Sequence, residues 1–216
     1  MKQLAIFDLD GTLLNTITDL GTAVNHALQA MGYPTHGIAA YNNMVGNGVT
    51  KLLERALPED MRRPRVVEAL RIHFREYYDN HLWDFTEPYP GIVELLDELV
   101  HRNIHIAVAS NKYQDAVTRL IDHFFGTLPW SAVHGNREGV PVKPDPSVVF
   151  SILTECPTPK ADVLYIGDSG VDMETARRAC VDSCGVTWGF RTRQELVKAY
   201  ADNIVDNPDD ILSLLA

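Results

Sequence analysis

Residues 4–12 of the chain read LAIFDLDGT, an apolar run that ends in two aspartates, a glycine and a threonine. A short continuous apolar run closed by an acid is typical of a parallel strand that is buried on both faces of a sheet. The same pattern recurs at residues 104–109 and 163–166 and, more weakly, at residues 183–186. A helical pattern follows each run. Strands that alternate with helices predict a doubly wound, mostly parallel α/β sheet.

Helical periodicity fills the intervals between the predicted strands. These helices are expected at residues 92–100, 114–123, 147–153 and 173–180. In a doubly wound sheet, ligands bind at the carboxyl ends of the strands. The polar residues that directly follow each strand are therefore the first candidates for a functional site.

Residues 15–85 interrupt this alternation of strands and helices. Apolar positions recur there at helical spacing, with no convincing strand, over residues 16–31, 49–56 and 65–78. We interpret residues 15–85 as an α-helical cap inserted after the first strand. Residues 1–14 and 86–216 would then form the α/β catalytic core.

The charge balance excludes several classes of protein. The 216 residues include 19 Lys+Arg and 29 Asp+Glu, a net charge of −10, which argues against binding to nucleic acid or to an anionic membrane surface. No apolar run approaches the ~18 residues that a membrane-spanning helix needs, and the N-terminal sequence is not that of a signal peptide. Three cysteines without zinc-binding spacing are read as reduced thiols. We therefore expect a cytoplasmic protein.

Asp8 and Asp10 lie two residues apart at the end of the first predicted strand, so their side chains project to the same side. Gly11 lets the chain turn away sharply. Two close carboxylates repel each other unless a cation lies between them or one of them keeps a proton. A divalent cation suits carboxylate oxygens, and a protonated aspartate can act as a general acid. The alternative is that Asp8 only caps a turn.

The second strand and a proline-flanked lysine supply groups that suit an anion. Ser110 and Asn111 are expected at the start of a helix, where backbone N–H groups attract negative charge. Lys143 lies in the segment VKPDP, whose prolines stiffen the backbone. It could hold a phosphate or balance Asp8. The alternatives are that Ser110 and Asn111 only cap a helix and that Lys143 is a solvated charge.

The segment GDSGVD, residues 167–172, follows the third strand. Asp168 could join Asp8 and Asp10 around one cation, an ordinary arrangement for Mg²⁺. Ser169 and Asp172 have the S-x-x-D spacing of a capping box. Asp172 is therefore predicted either to cap its helix or to lie near the metal, and the spacing does not choose between these roles.

Taken in order, FDLDGT, Ser110 in ASNK, Lys143 in VKPDP and GDSGVD resemble the four motifs of the haloacid dehalogenase superfamily of phosphotransferases. The helical insertion is similar to the small α-helical cap of that superfamily. The resemblance implies that Asp8 is a nucleophile that forms an aspartyl-phosphate. It also implies that Asp10 protonates the leaving alcohol and later activates water.

The same resemblance implies binding sites for a phosphoryl group and for Mg²⁺. Asp8, the main-chain carbonyl of Asp10, and Asp168 would hold the metal. The phosphoryl group would be bound by Ser110, Asn111 and Lys143. The binding residues would in turn be held in position by contacts with Thr12, Ser169 and Asp172.

Two positions bear on the branch of the superfamily. Its dehalogenases and phosphonate-cleaving members lack an acid at the position of Asp10, so this acid favours phosphoryl transfer to water or an alcohol. Its β-phosphoglucomutase-like phosphomutases carry a histidine twelve residues beyond the nucleophile, where this chain has Leu20. That difference favours a hydrolase over a phosphomutase. A receiver-like regulatory module, which is also phosphorylated on aspartate, would not need a seventy-residue helical insertion.

The cap also carries a loop that bears on the substrate. Gly46, Asn47 and Gly48 are similar to the cap loop of phosphoglycolate phosphatases, and residues 185–190 also resemble that subgroup. The resemblance implies a small phosphorylated metabolite as substrate, with 2-phosphoglycolate first and sugar phosphates as the alternative. Asn15 and Ser110 depart from the aspartate and threonine that are frequent in the subgroup. Without the resemblance, the Asn47–Gly48 pair reads as a simple connecting turn.

Overall fold

The computed structural model describes residues 1–215. The strands, in chain order, are β1 (Leu4–Phe7), β2 (Leu14–Asn15), β3 (Glu87–Pro88), β4 (His105–Tyr113), β5 (Ala132–Asn136), β6 (Val163–Gly167), β7 (Asp182–Val186) and β8 (Asn203–Val205). The α-helices are α1 (Ile17–Ala30), α2 (Val49–Ala56), α3 (Pro64–Tyr78), α4 (Ile92–His101), α5 (Gln114–Phe125), α6 (Ser147–Glu155), α7 (Gly170–Ala179), α8 (Arg193–Lys198) and α9 (Ile211–Leu214).

Six of these strands form one sheet in the order β5-β4-β1-β6-β7-β8, and every neighbouring pair is parallel. Strand β1 lies at the centre and is fully buried. Its residues alternate between two hydrophobic clusters. Ala5 and Phe7 pack on the face covered by α4 and α5, whereas Leu4 and Ile6 pack on the face covered by α6 and α7. The predicted doubly wound α/β fold is confirmed.

The strand order fixes the position of the site. Because β4, β1 and β6 are adjacent and parallel, their carboxyl ends meet at one edge of the sheet. Phe7, the last residue of β1, is in register with Val108 of β4 and with Ile166 of β6. The polar residues that come one or two positions later on each strand are thereby brought side by side.

The main correction to the predicted elements concerns β4. It runs to Tyr113, four residues beyond its predicted end, whereas α5 begins at Gln114, as predicted. Ser110 and Asn111 therefore lie in extended chain and do not open a helix. Pairing with β5 is irregular between Ala109 and Tyr113. The polar residues of this stretch are buried against neighbouring loops, and that burial keeps the chain extended beyond its apolar part.

The edge strands β5 and β8 lacked a strand signal in the sequence. Strand β5 reads AVHGN and β8 has only three residues, so neither contains a continuous apolar run. Both are formed because a neighbouring strand offers a free edge for hydrogen bonding.

Residues 17–78 contain α1, α2 and α3, which are the three helices expected in the insertion. Leu20 and Val24 of α1 and Leu70 and Phe74 of α3 are buried in one cluster. The short antiparallel pair of β2 and β3 carries the chain from the α/β body into these helices and back. We keep the name cap for residues 15–85.

Candidate active site

Asp8 follows β1 and is 8% exposed. The backbone N–H of Leu9 donates a hydrogen bond to Asp8 Oδ1 at 2.7 Å, and Lys143 Nζ lies 2.9 Å from the same oxygen. Burial raises the pKa of Asp8 to about 7, with a further contribution from Asp172 and with Lys143 opposing it. Asp8 is therefore a buried carboxyl group whose ionised form depends on nearby positive charge.

Lys143 is the buried cation of the site. It is only 2% exposed, so the interpretation as a solvated charge is wrong. Its Nζ contacts Asp8 at 2.9 Å and Asp172 at 2.7 Å, and it donates to the carbonyl of Ala109 at 2.8 Å. Burial alone would lower the pKa of Lys143, but Asp172 and Asp8 outweigh it and raise that pKa well above its ordinary value. Lys143 is held charged between two carboxylates.

Asp168 completes a group of three buried acids. One carboxylate oxygen from each of Asp8, Asp168 and Asp172 lies within 4.8 Å of the others. The backbone N–H of Phe190 donates to Asp168 at 2.7 Å. Burial, Asp172 and Asp8 together raise the pKa of Asp168 well above its ordinary value. Three clustered carboxylates exceed the charge of one lysine, and this oxygen-rich donor set fits a divalent metal ion.

Asp172 resolves the alternative that its spacing left open. Its Oδ2 accepts the backbone N–H of Ser169 at 3.2 Å and the Ser169 hydroxyl at 2.6 Å, so it caps α7. Its Oδ1 accepts Lys143 Nζ. Both oxygens are already occupied by donors. Asp172 therefore caps its helix and positions Lys143, and it is less available to a metal than Asp8 and Asp168 are.

Asp10 turns its carboxylate away from the three-acid group. Its oxygens lie 2.9 and 3.1 Å from Lys112 Nζ, and the Thr16 hydroxyl donates to it at 2.7 Å. Lys112 is 7% exposed and was missed by the sequence reasoning. Its signal was available, because Lys112 directly follows Ser110 and Asn111 in the ASNK motif. The carboxylate of Asp10 is thus held by Lys112 and Thr16, and any metal role of Asp10 falls to its main-chain carbonyl, as the resemblance implies.

Ser110 and Asn111 play different parts in the structure. Ser110 lines the cavity above the acids, and its hydroxyl accepts the backbone N–H of Lys112 at 3.2 Å. The Asn111 amide nitrogen donates to the carbonyls of Gly46 and Lys143, both at 3.0 Å, and its oxygen accepts the Lys143 N–H at 2.8 Å. Asn111 therefore connects the cap loop to the loop that carries Lys143.

Thr12 and Tyr78 carry buried hydroxyl groups that have no hydrogen-bond partner within residues 1–215. Thr12 lies just beyond the two aspartates, and its carbonyl accepts the indole N–H of Trp188 at 3.1 Å. Tyr78, at the end of α3, lines the cavity beneath the cap.

The cap loop contributes its backbone to the cavity. Gly46 and Gly48 line the cavity and have φ values of 116° and 81°, which favour glycine. The side chain of Asn47 is used elsewhere, because its oxygen accepts Arg55 Nη2 at 2.7 Å. Arg55 also donates to the carbonyl of Met44 at 2.8 Å. Of the three predicted loop residues, the two glycines meet the cavity and Asn47 holds the loop in shape.

Residues 5–186 match the model of a protein family described as haloacid dehalogenase-like hydrolase. The chain belongs to this family. The match spans the three strand ends, the lysine loop and the cap, so the resemblance drawn from the four motifs is confirmed.

Three similar proteins of this family are described as phosphoglycolate phosphatases or as a candidate for one. A phosphoglycolate phosphatase of Pseudomonas syringae pv. tomato is 30% identical over 96% of this chain and 77% of its own length. One from Vibrio parahaemolyticus is 29% identical over 99% of this chain and 96% of its own length. A solved structure from Lactobacillus delbrueckii subsp. bulgaricus, described as a candidate phosphoglycolate phosphatase, has 30% identity and a TM-score of 0.93, covering 100% of this chain and 99% of that one. The chain is thus an enzyme of the haloacid dehalogenase-like hydrolases, a phosphatase.

None of the helices within residues 1–215 combines the length and hydropathy of a membrane-spanning segment.

Proposed function

We propose that this phosphatase is a Mg²⁺-dependent phosphomonoester hydrolase that acts through an aspartyl-phosphate at Asp8, with 2-phosphoglycolate as its substrate. One observation carries the chemical part of the proposal. Asp8 lies at the floor of a cavity under the cap, 2.9 Å from a buried lysine and next to Asp168. A buried nucleophilic carboxylate with a fixed cation beside it suits attack on a phosphate ester.

In the first step, an Asp8 carboxylate oxygen attacks phosphorus and the bond from phosphorus to the ester oxygen breaks. Asp10 enters this step protonated, gives its proton to the departing alcohol oxygen, and is left as a carboxylate beside Lys112. General acid catalysis supplies only ~10²- to 10⁴-fold, whereas enzymes of phosphate-monoester hydrolysis reach factors up to ~10²¹. Most of the acceleration must therefore come from charge and position. Lys143 supplies part of that charge, since its ammonium lies 2.9 Å from the Asp8 carboxylate.

Asp8, Asp168 and the carbonyl of Asp10 are the groups that would hold Mg²⁺. When bound, the metal neutralises charge between Asp8 and a phosphate dianion and polarises the phosphoryl oxygens. Ser110 lines the same cavity, so its hydroxyl can donate to a phosphoryl oxygen. Asp172 keeps Lys143 in place from behind.

In the second step, water attacks phosphorus, the bond from phosphorus to the Asp8 oxygen breaks, and Asp10 takes the proton of the water. Lys112 and Thr16 hold the Asp10 carboxylate on the cap side of the cavity. On the cap side this volume is lined by Leu20, Val49 and Leu52, whose apolar side chains would keep bulk water away from a bound substrate.

The named relatives support 2-phosphoglycolate, because two of them share about 30% identity with this chain over nearly its whole length. Leu20 supports a hydrolase over a phosphomutase. It lines the cavity, and its aliphatic side chain cannot move a proton to or from a sugar hydroxyl. A receiver-like module has no use for a cavity enclosed by a cap.

Binding of Mg²⁺ is expected to weaken as the pH falls through 7. Burial raises the pKa of Asp8 to about 7 in the metal-free protein, so below that pH a proton occupies an oxygen that the metal needs. Asp8 alone makes the expected affinity at pH 6 about tenfold lower than at pH 8, and the raised pKa of Asp168 adds to this loss. Calorimetric titration of the wild-type protein with MgCl₂ at both values measures it. Equal affinity at the two pH values would contradict the assigned role of Asp8.

The substrate assignment is tested by phosphate release from a panel that includes 2-phosphoglycolate, sugar phosphates, nucleotides and an aryl phosphate, with and without Mg²⁺. The expected result is metal-dependent release with the highest kcat/KM for 2-phosphoglycolate. A higher value for a sugar phosphate would keep the chemistry and replace the substrate. Conversion of a sugar phosphate into its isomer without phosphate release would favour the phosphomutase.

A further inference from the structure

The walls of the cavity divide into a charged floor and an apolar cap side. The cap residues that line it offer hydrocarbon, glycine backbone and one tyrosine; they are Leu20, Val45, Gly46, Gly48, Val49, Leu52, Phe74 and Tyr78. None of them is charged. A substrate that carries a second negative charge beyond its phosphate therefore finds no counter-charge on the cap side chains.

Arg191 brings a positive charge to this cavity from the α/β body. It lies in the loop after β7, and its side chain is only 13% exposed. The neighbouring Phe190 donates its backbone N–H to Asp168, which fixes the loop against the acids of the site. Among the described residues that line the cavity, the other cation is Lys112, whose charge is matched by Asp10 at 2.9 Å.

The hydrogen bonds that Arg191 makes to the cap use only part of the donor capacity of its guanidinium. Nη2 donates to the carbonyl of Val45 at 2.7 Å and Nη1 to Asn43 Oδ1 at 3.3 Å. Glu195 forms a loose ion pair with this group, since its Oε1 lies 3.7 Å from Arg191 Nε, beyond hydrogen-bond distance. Since a guanidinium has five N–H donors, contacts to the cap loop leave others for a ligand. These contacts also place the guanidinium between the cap loop and the α/β core.

We infer that Arg191 determines specificity by binding the carboxylate of a small phosphorylated acid while its phosphate lies at Asp8. The inference deepens the proposed function and rests on it. A guanidinium pairs with a carboxylate through charge-assisted, often bidentate hydrogen bonds. Because it also donates to Val45, Arg191 would couple the bound acid to the position of the cap loop.

The test compares two substrates of similar size, 2-phosphoglycolate and ethyl phosphate, which lacks the carboxylate. Arg191→Gln is expected to lower kcat/KM for 2-phosphoglycolate by about 10- to 100-fold, the usual value of a hydrogen bond to a charged group, and to change that for ethyl phosphate little. Inhibition by inorganic phosphate should stay as in wild type. Arg193→Gln is the matched control, since Arg193 is exposed and pairs with Asp206.

An equal loss of kcat/KM for both substrates would overturn the inference, because it would show that Arg191 only holds the cap loop in place. No loss on either would also overturn it. If the wild type does not prefer 2-phosphoglycolate to ethyl phosphate, the proposed substrate fails. The role of Arg191 is then tested by comparing kcat/KM for 3-phosphoglycerate with that for glycerol 3-phosphate, which lacks the carboxylate. A wild-type preference for 3-phosphoglycerate that is lost in Arg191→Gln would support the inference. The absence of such a preference would overturn it.

Discussion

Replacing Asp8 with asparagine is expected to lower kcat by about 10⁵-fold or more while the protein still folds, in line with the loss of a nucleophile in other enzymes. The amide of asparagine cannot form an acyl phosphate at the rate of a carboxylate. Its shape fits the same space, and the N–H of Leu9 can still donate to its oxygen. Phosphate release from 2-phosphoglycolate measures the effect, and circular dichroism measures the fold.

Asp97→Asn is the matched control for this variant. Asp97 is an exposed acid on α4, a helix that contributes no residue to the cavity, so its loss should leave turnover unchanged. Turnover of Asp8→Asn within tenfold of wild type would remove Asp8 from the mechanism, whatever the control shows.

Replacing Lys143 with methionine is expected to lower the free energy of unfolding by about 3–5 kcal/mol, the usual cost of removing one partner of a buried ion pair. Asp8 and Asp172 would remain buried without the ammonium that lies 2.9 and 2.7 Å from them. Turnover should fall as well, because the phosphoryl oxygens lose their fixed cation. Urea denaturation of the metal-free protein measures the stability.

A second substitution separates the two losses. Asp172→Asn in the Lys143→Met background removes one of the stranded charges, so it should restore part of the stability and none of the turnover. An unfolding free energy of Lys143→Met equal to that of wild type would show that the buried pair does not support the fold. Restored turnover in the double variant would show that Lys143 acts only through Asp172.

The sheet and the floor of the site could be predicted because both depend on short-range patterns. The apolar runs of β1, β4 and β6 fix three buried parallel strands, and parallel strands end at one edge of the sheet. Asp8 and Asp168 follow two of those strands directly, so their proximity follows from topology alone. The three helices of the cap were equally visible from their apolar spacing.

Side-chain contacts between segments that lie far apart in the sequence could not be predicted in the same way. Arg191 reaches Val45 across 146 positions of the chain, a contact that no local pattern encodes. Asn47 was expected at the substrate, but its side-chain oxygen accepts a hydrogen bond from Arg55 of α2, the next helix. Lys112 belongs to the ASNK motif, but its contact with Asp10, 102 positions away, depends on the irregular end of β4.

The pairing of Asp172 with Lys143 illustrates the same limit. The S-x-x-D spacing identifies the cap of α7 correctly, since it depends on residues three apart. Lys143 lies 29 positions away and reaches the other oxygen of the same carboxylate. A local rule thus found half of the role of Asp172, and the other half required the fold.

Phosphorylation of Asp8 during catalysis can be detected by acid quench of the enzyme during a single turnover of 2-phosphoglycolate with Mg²⁺, followed by mass spectrometry of its peptides. We expect one phosphoryl group on the peptide that contains Asp8, absent without Mg²⁺ and absent in Asp8→Asn. Phosphate release with the phosphoryl group found on another residue, or with no phosphoenzyme at any quench time, would contradict it.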